Sequence, residues 1–249
     1  MDVIADIHLN EHEPETAQAW TRYLHSADFD ALFILGDLFE VWVGDDLLDT
    51  APPWLNDCIA ALRAASQRAP VYLMHGNRDF LIGEGFHAQV GTTALPDPCL
   101  LDWQVQRWLL THGDAWCLDD RDYQRFRAQV RTADWQTDFL ARPLAERLAI
   151  AQQLRQVSKD RKAQHHDEPE RRFEGYADVD SATAAEWLQA CDAPVLVHGH
   201  THRPAEHRLP GERLRLVLSD WDAQAHPPRG EVLRLYPNGH WERRPLPWR

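Results

Sequence analysis

The chain has 249 residues, of which 44% are hydrophobic and 26% charged, enough apolar material to bury a core and exclude a disordered protein. Its formal net charge of −13 at pH 7 argues against broad binding to nucleic acid, whose phosphates demand a basic face. Cys58, Cys99, Cys117 and Cys191 form no CxxC pair and fit reduced thiols, the start MDVIADIHLN lacks the basic opening and apolar run of a signal peptide, and no apolar run approaches the roughly 20 residues of a membrane span.

Short aliphatic runs closed by glycine predict buried strands, and most of them end in polar residues. The run at 3–5 leads into Asp6 and His8. After a helical pattern over 13–26, the run at 31–35 leads into Gly36 and Asp37. A second amphipathic pattern over 54–69 stops before Pro70, and the run at 71–74 leads into His75-Gly76-Asn77-Arg78-Asp79. The run at 108–110 leads into His112-Gly113-Asp114. A helix is predicted over 181–190, with Thr183 and Glu186 spaced as a capping box. The run at 195–197 then leads into His198-Gly199-His200-Thr201-His202. Runs at 214–218 and 232–236 are further strands with fewer polar followers. Strands alternating with helices imply a layered α/β fold.

Residues 121–172 break this rhythm. They hold no strand-like run, but Phe126, Val130, Trp135, Phe139, Leu140, Leu144, Leu148 and Leu154 recur at helical spacing. The segment carries twelve Lys and Arg against eight Asp and Glu, and both lysines of the chain, Lys159 and Lys162. It is predicted to be a helical insertion, either a cap over a site or a structural hairpin with a solvated basic face.

In layered α/β folds the ligand site lies beyond the carboxyl ends of the strands, so the polar strand ends should converge. Asp6, His8, Asp37, Asn77, His112, His198 and His200 offer oxygen and imidazole donors, a set that suits manganese, iron or zinc and, lacking cysteine, does not suit a closed structural zinc site. Seven ligands are too many for one ion and right for two if a carboxylate bridges, and Asp37 stands alone on its strand end. Taken singly, each motif has an ordinary reading: a lone histidine is usually core or solvated, Gly-Asp is often a turn, and Asn77 could cap a helix. Five such motifs in order, each closing a strand, argue against coincidence.

The series D-x-H, G-D, G-N-x-D, H-G-D and G-H-x-H resembles the calcineurin-like metallophosphoesterase superfamily. The stretches ADIHL, ILGDLFEVWVGDD, HGNRDFLIG, THGDAWCLDD and VHGHTHRPA resemble, more narrowly, its UDP-2,3-diacylglucosamine pyrophosphatase family of lipid A biosynthesis, over residues 2 to about 221. The resemblance implies a single α/β domain over 1–249, an α/β/β/α sandwich of two mixed sheets with the helical cap at about 121–172. It implies one Mn²⁺ on Asp6, His8, Asp37 and His200 and a second on Asp37, Asn77, His112 and His198. It further implies a dinuclear-metal-activated water attacking the α-phosphorus of a diacylated UDP-sugar, to give UMP and 2,3-diacylglucosamine 1-phosphate. The protein would then sit peripherally on the cytoplasmic face of a Gram-negative inner membrane, its basic excess facing anionic lipid, with no nucleic-acid partner and no obligatory protein partner.

Arg78 stands where many superfamily members have a histidine that can protonate a leaving group. Its guanidinium stays charged and cannot act as an acid, which favours a leaving group that departs unaided, and it could instead bind phosphate; the ordinary alternative is a salt bridge to Asp79 or another acid. Catalytic roles fall to Asp37, Asn77, Arg78, His112 and His198. The resemblance carries substrate contacts to Asn77, Arg78, His198, Asp120 in CLDD and Ser158 in VSKD. Where the family commonly shows Asn and then Lys, this chain has Lys162 and His165, on one helix face with Ser158. The alternatives are another metal-dependent nucleotide pyrophosphatase or phosphodiesterase, and a non-catalytic scaffold, which the filled ligand positions disfavour. Trp241 and Trp248 could touch a membrane or pack on the body.

Overall fold

The computed structural model describes residues 1–165 and 177–248, with side chains described to residue 156 in the first stretch. One six-stranded sheet contains β1 (Asp2–Ile4), β2 (Leu32–Leu35), β3 (Val71–Met74), β4 (Thr93–Leu95), β10 (Glu231–Leu235) and β11 (Trp241–Pro245) in the order β11-β10-β1-β2-β3-β4. A five-stranded sheet contains β5 (Cys99–Trp103), β6 (Gln106–Thr111), β7 (Val195–His198), β8 (Ala205–Leu209) and β9 (Arg213–Val217) in the order β5-β6-β7-β9-β8. Both are mixed: β1 to β4 are parallel and β10 and β11 antiparallel, while β6, β7 and β9 are parallel between antiparallel β5 and β8.

Strand alternation divides the core into three layers. Val3, Ala5, Phe33, Leu35 and Met74 meet Trp108, Leu110, Val195, Val197 and Leu216 between the sheets. Their neighbours Ile4, Leu32, Ile34, Val71 and Leu73 face the other way, onto Trp20 and Leu24 of α1 (Pro14–Ser26), Leu55, Ile59 and Leu62 of α2 (Pro53–Ser66) and Phe86 of α3 (Glu84–Val90). Leu109 and Leu196 of the second sheet pack with Ala184 and Leu188 of α7 (Ser181–Ala190). The result is the expected α/β/β/α sandwich. β1, β2, β3 and β7 are covered on both faces, which is why their sequences are unbroken apolar runs.

Two local expectations are corrected. The residue capping α7 is Asp180, whose side chain accepts from Thr183 N at 2.7 Å, so Thr183 receives a cap instead of supplying one. The second predicted helix ends at Ser66, short of residue 69.

The segment predicted to be helical forms α4 (Arg121–Val130), α5 (Ala133–Leu140) and α6 (Leu144–His165). Its apolar residues divide between two fates. Phe139 is buried and stacks on Trp135 with ring centroids 4.7 Å apart, Trp135 approaches Phe80, and Leu144 and Leu148 pack on the α1–α2 core layer. Leu140 and Leu154 stay 42% and 43% exposed, and Phe126 is half-buried. The buried Arg147 fastens α6 to the body: Nε donates to Arg142 O at 3.0 Å, and the guanidinium bonds Val43 O and the Asp46 carboxylate. Trp241 packs on the layer between the sheets and Trp248 on the α1–α2 layer. All four cysteines are free. Among the described residues no helix is long and apolar enough to cross a membrane.

Candidate metal centre

The carboxyl ends of β1, β2, β3, β6 and β7 open onto one place, and the loops there are tightly drawn. Asp6, His8, Asp37, His200 and His202 all have φ between 52° and 66°, the left-handed region that non-glycine residues enter only when the surroundings over-determine them. Two glycines permit the close stacking of these loops. A Cβ on Gly76 would lie 2.1 Å from Asp37 Oδ1, and one on Gly199 would lie 2.3 Å from Asp6 Oδ2. The fully buried Asp79 ties the β2 and β3 loops together, accepting from Leu38 N and Gly76 N, both at 2.8 Å, and from Asp37 N at 3.3 Å.

Seven side chains converge. His112 Nδ1 donates to Leu35 O at 2.8 Å, which turns Nε2 to the cluster, 3.1 Å from Asn77 Oδ1 and 3.7 Å from Asp37 Oδ2. His200 Nδ1 lies 2.9 Å from the same Asn77 oxygen, and its backbone N–H donates to Asp6 Oδ2 at 2.8 Å. His8 Nε2 lies 3.9 Å from both Asp6 Oδ1 and Asp37 Oδ2. His202 Nε2 lies 3.1 Å from His8 Nε2 and 3.4 Å from Asp6 Oδ1. Ring nitrogens that face each other at this distance, with carboxylates beside them, need a proton or a cation between them.

The electrostatics agree. Burial raises Asp37 to about 6, against the pull of His112 and His8. Burial also works against charge on His8, but the Glu40 hydrogen bond and the charges of Asp37 and Asp6 outweigh it and raise the imidazole to about 9. His112 is raised to about 9 in the same way by Asp37, Asp6 and Asp114. Asp6 is held well below the usual carboxylate range by His202, His112 and His8 despite its burial. The cluster thus gathers positive charge around two buried carboxylates, the charge that divalent cations supply while displacing protons. The buried Asp6 Oδ1 has no hydrogen-bond partner, and Asp6, Asp37 and His112, like Asp6, His8 and His202, place ligand atoms within 4.8 Å of one another. Hard oxygen and imidazole donors with outer nitrogens anchored on backbone or carboxylate fit such ions.

One expected ligand lies elsewhere. His198 is the last residue of β7, in phase with Leu196, which faces α7. Its ring rests near Gly113, Nδ1 is 2.8 Å from Gly199 O, and the buried Nε2 has no partner; burial lowers it to about 4. The histidine that joins His200 in the cluster is His202, which is not among the seven predicted ligands. Also unforeseen are Glu40, whose Oε2 is 2.7 Å from His8 Nδ1, and Tyr123, which donates to Asp114 Oδ2 at 2.5 Å and lies beside the His200 ring.

Arg78 lines the mouth of the cluster with His8, Asn10, Glu40, Arg155 and His202, around a cavity of about 310 Å³. Its backbone N–H donates to Asp37 Oδ1 at 2.7 Å. Among the described residues Arg78 makes no ion pair with Asp79, whose oxygens are taken by backbone amides. Asp120 caps α4, accepting from Tyr123 N at 3.0 Å. The side chains of Ser158, Lys162 and His165 lie outside the described residues.

The sequence matches the calcineurin-like phosphoesterase family over residues 2–204. It is 46% identical to a protein of Bordetella pertussis named UDP-2,3-diacylglucosamine hydrolase, over 94% of this chain and 91% of that one. Proteins of the same name in Chromobacterium violaceum and Stenotrophomonas maltophilia are 44% and 41% identical, each over 95% of this chain and 94% of theirs. Among solved structures, an archaeal phosphodiesterase aligns over 98% of both chains with a TM-score of 0.50 at 10% identity, a likeness of fold.

Proposed function

The chain belongs to the calcineurin-like phosphoesterase family, and from that premise we propose that it hydrolyses the pyrophosphate bond of UDP-2,3-diacylglucosamine to UMP and 2,3-diacylglucosamine 1-phosphate. The observation that carries the substrate is the likeness to relatives named for it, which runs through the helical segment as well as the sheets, over 94% of the chain.

In this reading Asp6, His8, Asp37 and His202 would hold one cation, and Asp37, Asn77, His112 and His200 would hold the other, with manganese the proposed ion. Such ions would supply Lewis-acid activation of a water at neutral pH and positive charge for the phosphoryl group. The protein's own residues do the rest. Glu40 and Leu35 O fix the His8 and His112 rings from behind. Arg78 binds the phosphates and offsets the charge that grows during attack on the α-phosphorus; it donates no proton, and a sugar phosphate leaves without one. The phosphate-positioning role expected of His198 falls to His200, which faces the cluster. Asp120, Ser158, Lys162 and His165 are proposed headgroup contacts.

The segment α4–α6 acts as a cap in this account. Its exposed Leu140 and Leu154, together with Leu118 at 48% exposure, suit acyl chains and a membrane surface, and its basic excess suits anionic lipid. Peripheral attachment to the cytoplasmic face of the inner membrane is part of the proposal. Incubating the purified protein and Mn²⁺ with UDP-2,3-diacylglucosamine, beside bis(4-nitrophenyl) phosphate, tests it. UMP release from the lipid nucleotide is expected; cleavage of the diester alone would discard the lipid substrate.

A further inference from the structure

His8 and His202, whose Nε2 atoms face each other at 3.1 Å, each have a carboxylate behind the ring, close at His8 and looser at His202. Behind His8, Nδ1 meets Glu40 Oε2 at 2.7 Å, and Glu40 Oε1 meets Arg155 Nη2 at 2.5 Å. Behind His202, Nδ1 lies 3.6 Å from Asp220 Oδ2, and Asp220 accepts from Arg229 Nε and Nη2 at 2.9 and 2.6 Å. Two chains of arginine, carboxylate and imidazole therefore end on one pair of nitrogens. They differ in origin. Arg229 stands just before β10 and braces the body from within, whereas Arg155 is carried by α6 and crosses to the body to reach Glu40.

We propose that Glu40 is a positioning residue for His8 and that Arg155 is the hold through which α6 sets it, so that seating of the helical segment and cation binding at the centre are thermodynamically linked. This rests on the dinuclear reading above. An imidazole keeps a ligating nitrogen aimed at a cation only while its other nitrogen has an acceptor to fix ring and tautomer. Glu40 supplies that acceptor, and its carboxylate is itself fixed by a bond to a helix that Arg147 and packing also hold to the body. If α6 lifts, Glu40 loses its partner and His8 its orientation. Linkage is reciprocal, so a cation that draws His8 inward also holds α6 down. Arg229 serves as the internal control, because among the described residues its bonds run to Asp220 and Asp222 and not to α4–α6.

The test titrates metal-free protein with Mn²⁺ by calorimetry and follows amide hydrogen exchange of α6 with and without Mn²⁺. Expected are an affinity loss of about 10–100-fold for Glu40→Gln and about tenfold for Arg155→Met, with Arg155→Lys recovering part of it. Mn²⁺ should slow exchange in α6 of the wild type and of Arg229→Met, but not of Arg155→Met. Wild-type affinity in Arg155→Met, or exchange in α6 that ignores Mn²⁺ in the wild type, overturns the linkage while leaving the dinuclear centre standing. A wild-type protein that takes up no cation overturns both.

Discussion

Gly76 lies against Asp37 so closely that a β-carbon on it would stand 2.1 Å from Oδ1 and 2.3 Å from the backbone nitrogen. Neither contact can be relieved by a flexible side-chain end, because Asp37 is buried and its Oδ1 already accepts from Arg78 N at 2.7 Å. The glycine before Asn77 is thus a condition for bringing the β3 loop onto the carboxylate that both cations would share. Gly76→Ala should lower stability by about 2 kcal/mol or more, the scale of a strained or overpacked core, and should abolish tight Mn²⁺ binding. Thermal unfolding and metal analysis check both; an alanine variant with wild-type metal content would contradict this role.

Asp79 binds no substrate in this account, yet its substitution should be costly. Its two oxygens face the N–H groups of Leu38, Gly76 and Asp37. Asp79→Asn turns an amide N–H₂ toward at least one of these donors and should destabilise the fold by about 2–3 kcal/mol, the cost of leaving buried donors unsatisfied. Denaturant unfolding at constant slope measures it.

Arg78 should divide charge from geometry. Arg78→Ala is expected to lower kcat for UDP-2,3-diacylglucosamine by about 10²–10³-fold, the usual effect of removing one donor aimed at developing charge. Arg78→Lys keeps the charge but loses the planar fork and should recover only part. Both variants should keep the metal content of the wild type, because the Arg78 side chain is not a ligand in this assignment. Steady-state kinetics with metal analysis of the same samples decides; loss of metal in Arg78→Lys would show that the side chain supports the centre itself.

Removing the cations should cost stability as well as activity. Asp6 and Asp37 are buried with their charges turned toward one another's neighbours, and an ion that binds the folded chain stabilises it by mass action, about 2.7 kcal/mol at a hundredfold excess over Kd. Chelation should therefore lower Tm, and Mn²⁺ should restore it. The same chelator should leave Tm unchanged in a protein with both Asp6→Asn and Asp37→Asn. Scanning calorimetry reads the difference.

The sequence made the centre of each sheet legible and not its rim. β4, β5, β8 and β11 follow from no aliphatic run in the sequence, and they are the four edge strands of the two sheets. Their residues alternate between covered and exposed or are largely exposed, as in Cys99–Trp103 and Ala205–Leu209, so they show none of the unbroken apolar runs that betray β1, β2, β3 and β7. The same cause lies behind the placement of His202 in the cluster and of His198 outside it. His198, His200 and His202 recur every second residue, and in β7 both faces are apolar, so nothing in VLVH tells which face His198 takes. Only the packing of Leu196 against α7 shows which face His198 takes. Asp6, His8, Asp37, Asn77, His112 and His200 were legible because strand ends in layered folds converge. Glu40 and Arg155 were not, since their partnership spans more than a hundred residues and follows no motif.

The most direct test measures manganese content and UMP release together in the wild type, His202→Ala and His198→Ala. Two Mn²⁺ per chain and UMP release from UDP-2,3-diacylglucosamine are expected in the wild type. In His202→Ala one ion should be lost and the rate should fall by orders of magnitude, whereas His198→Ala should keep both ions and most of the rate, with lowered stability. A His198→Ala protein that loses a cation while His202→Ala keeps two would contradict the assignment of the centre.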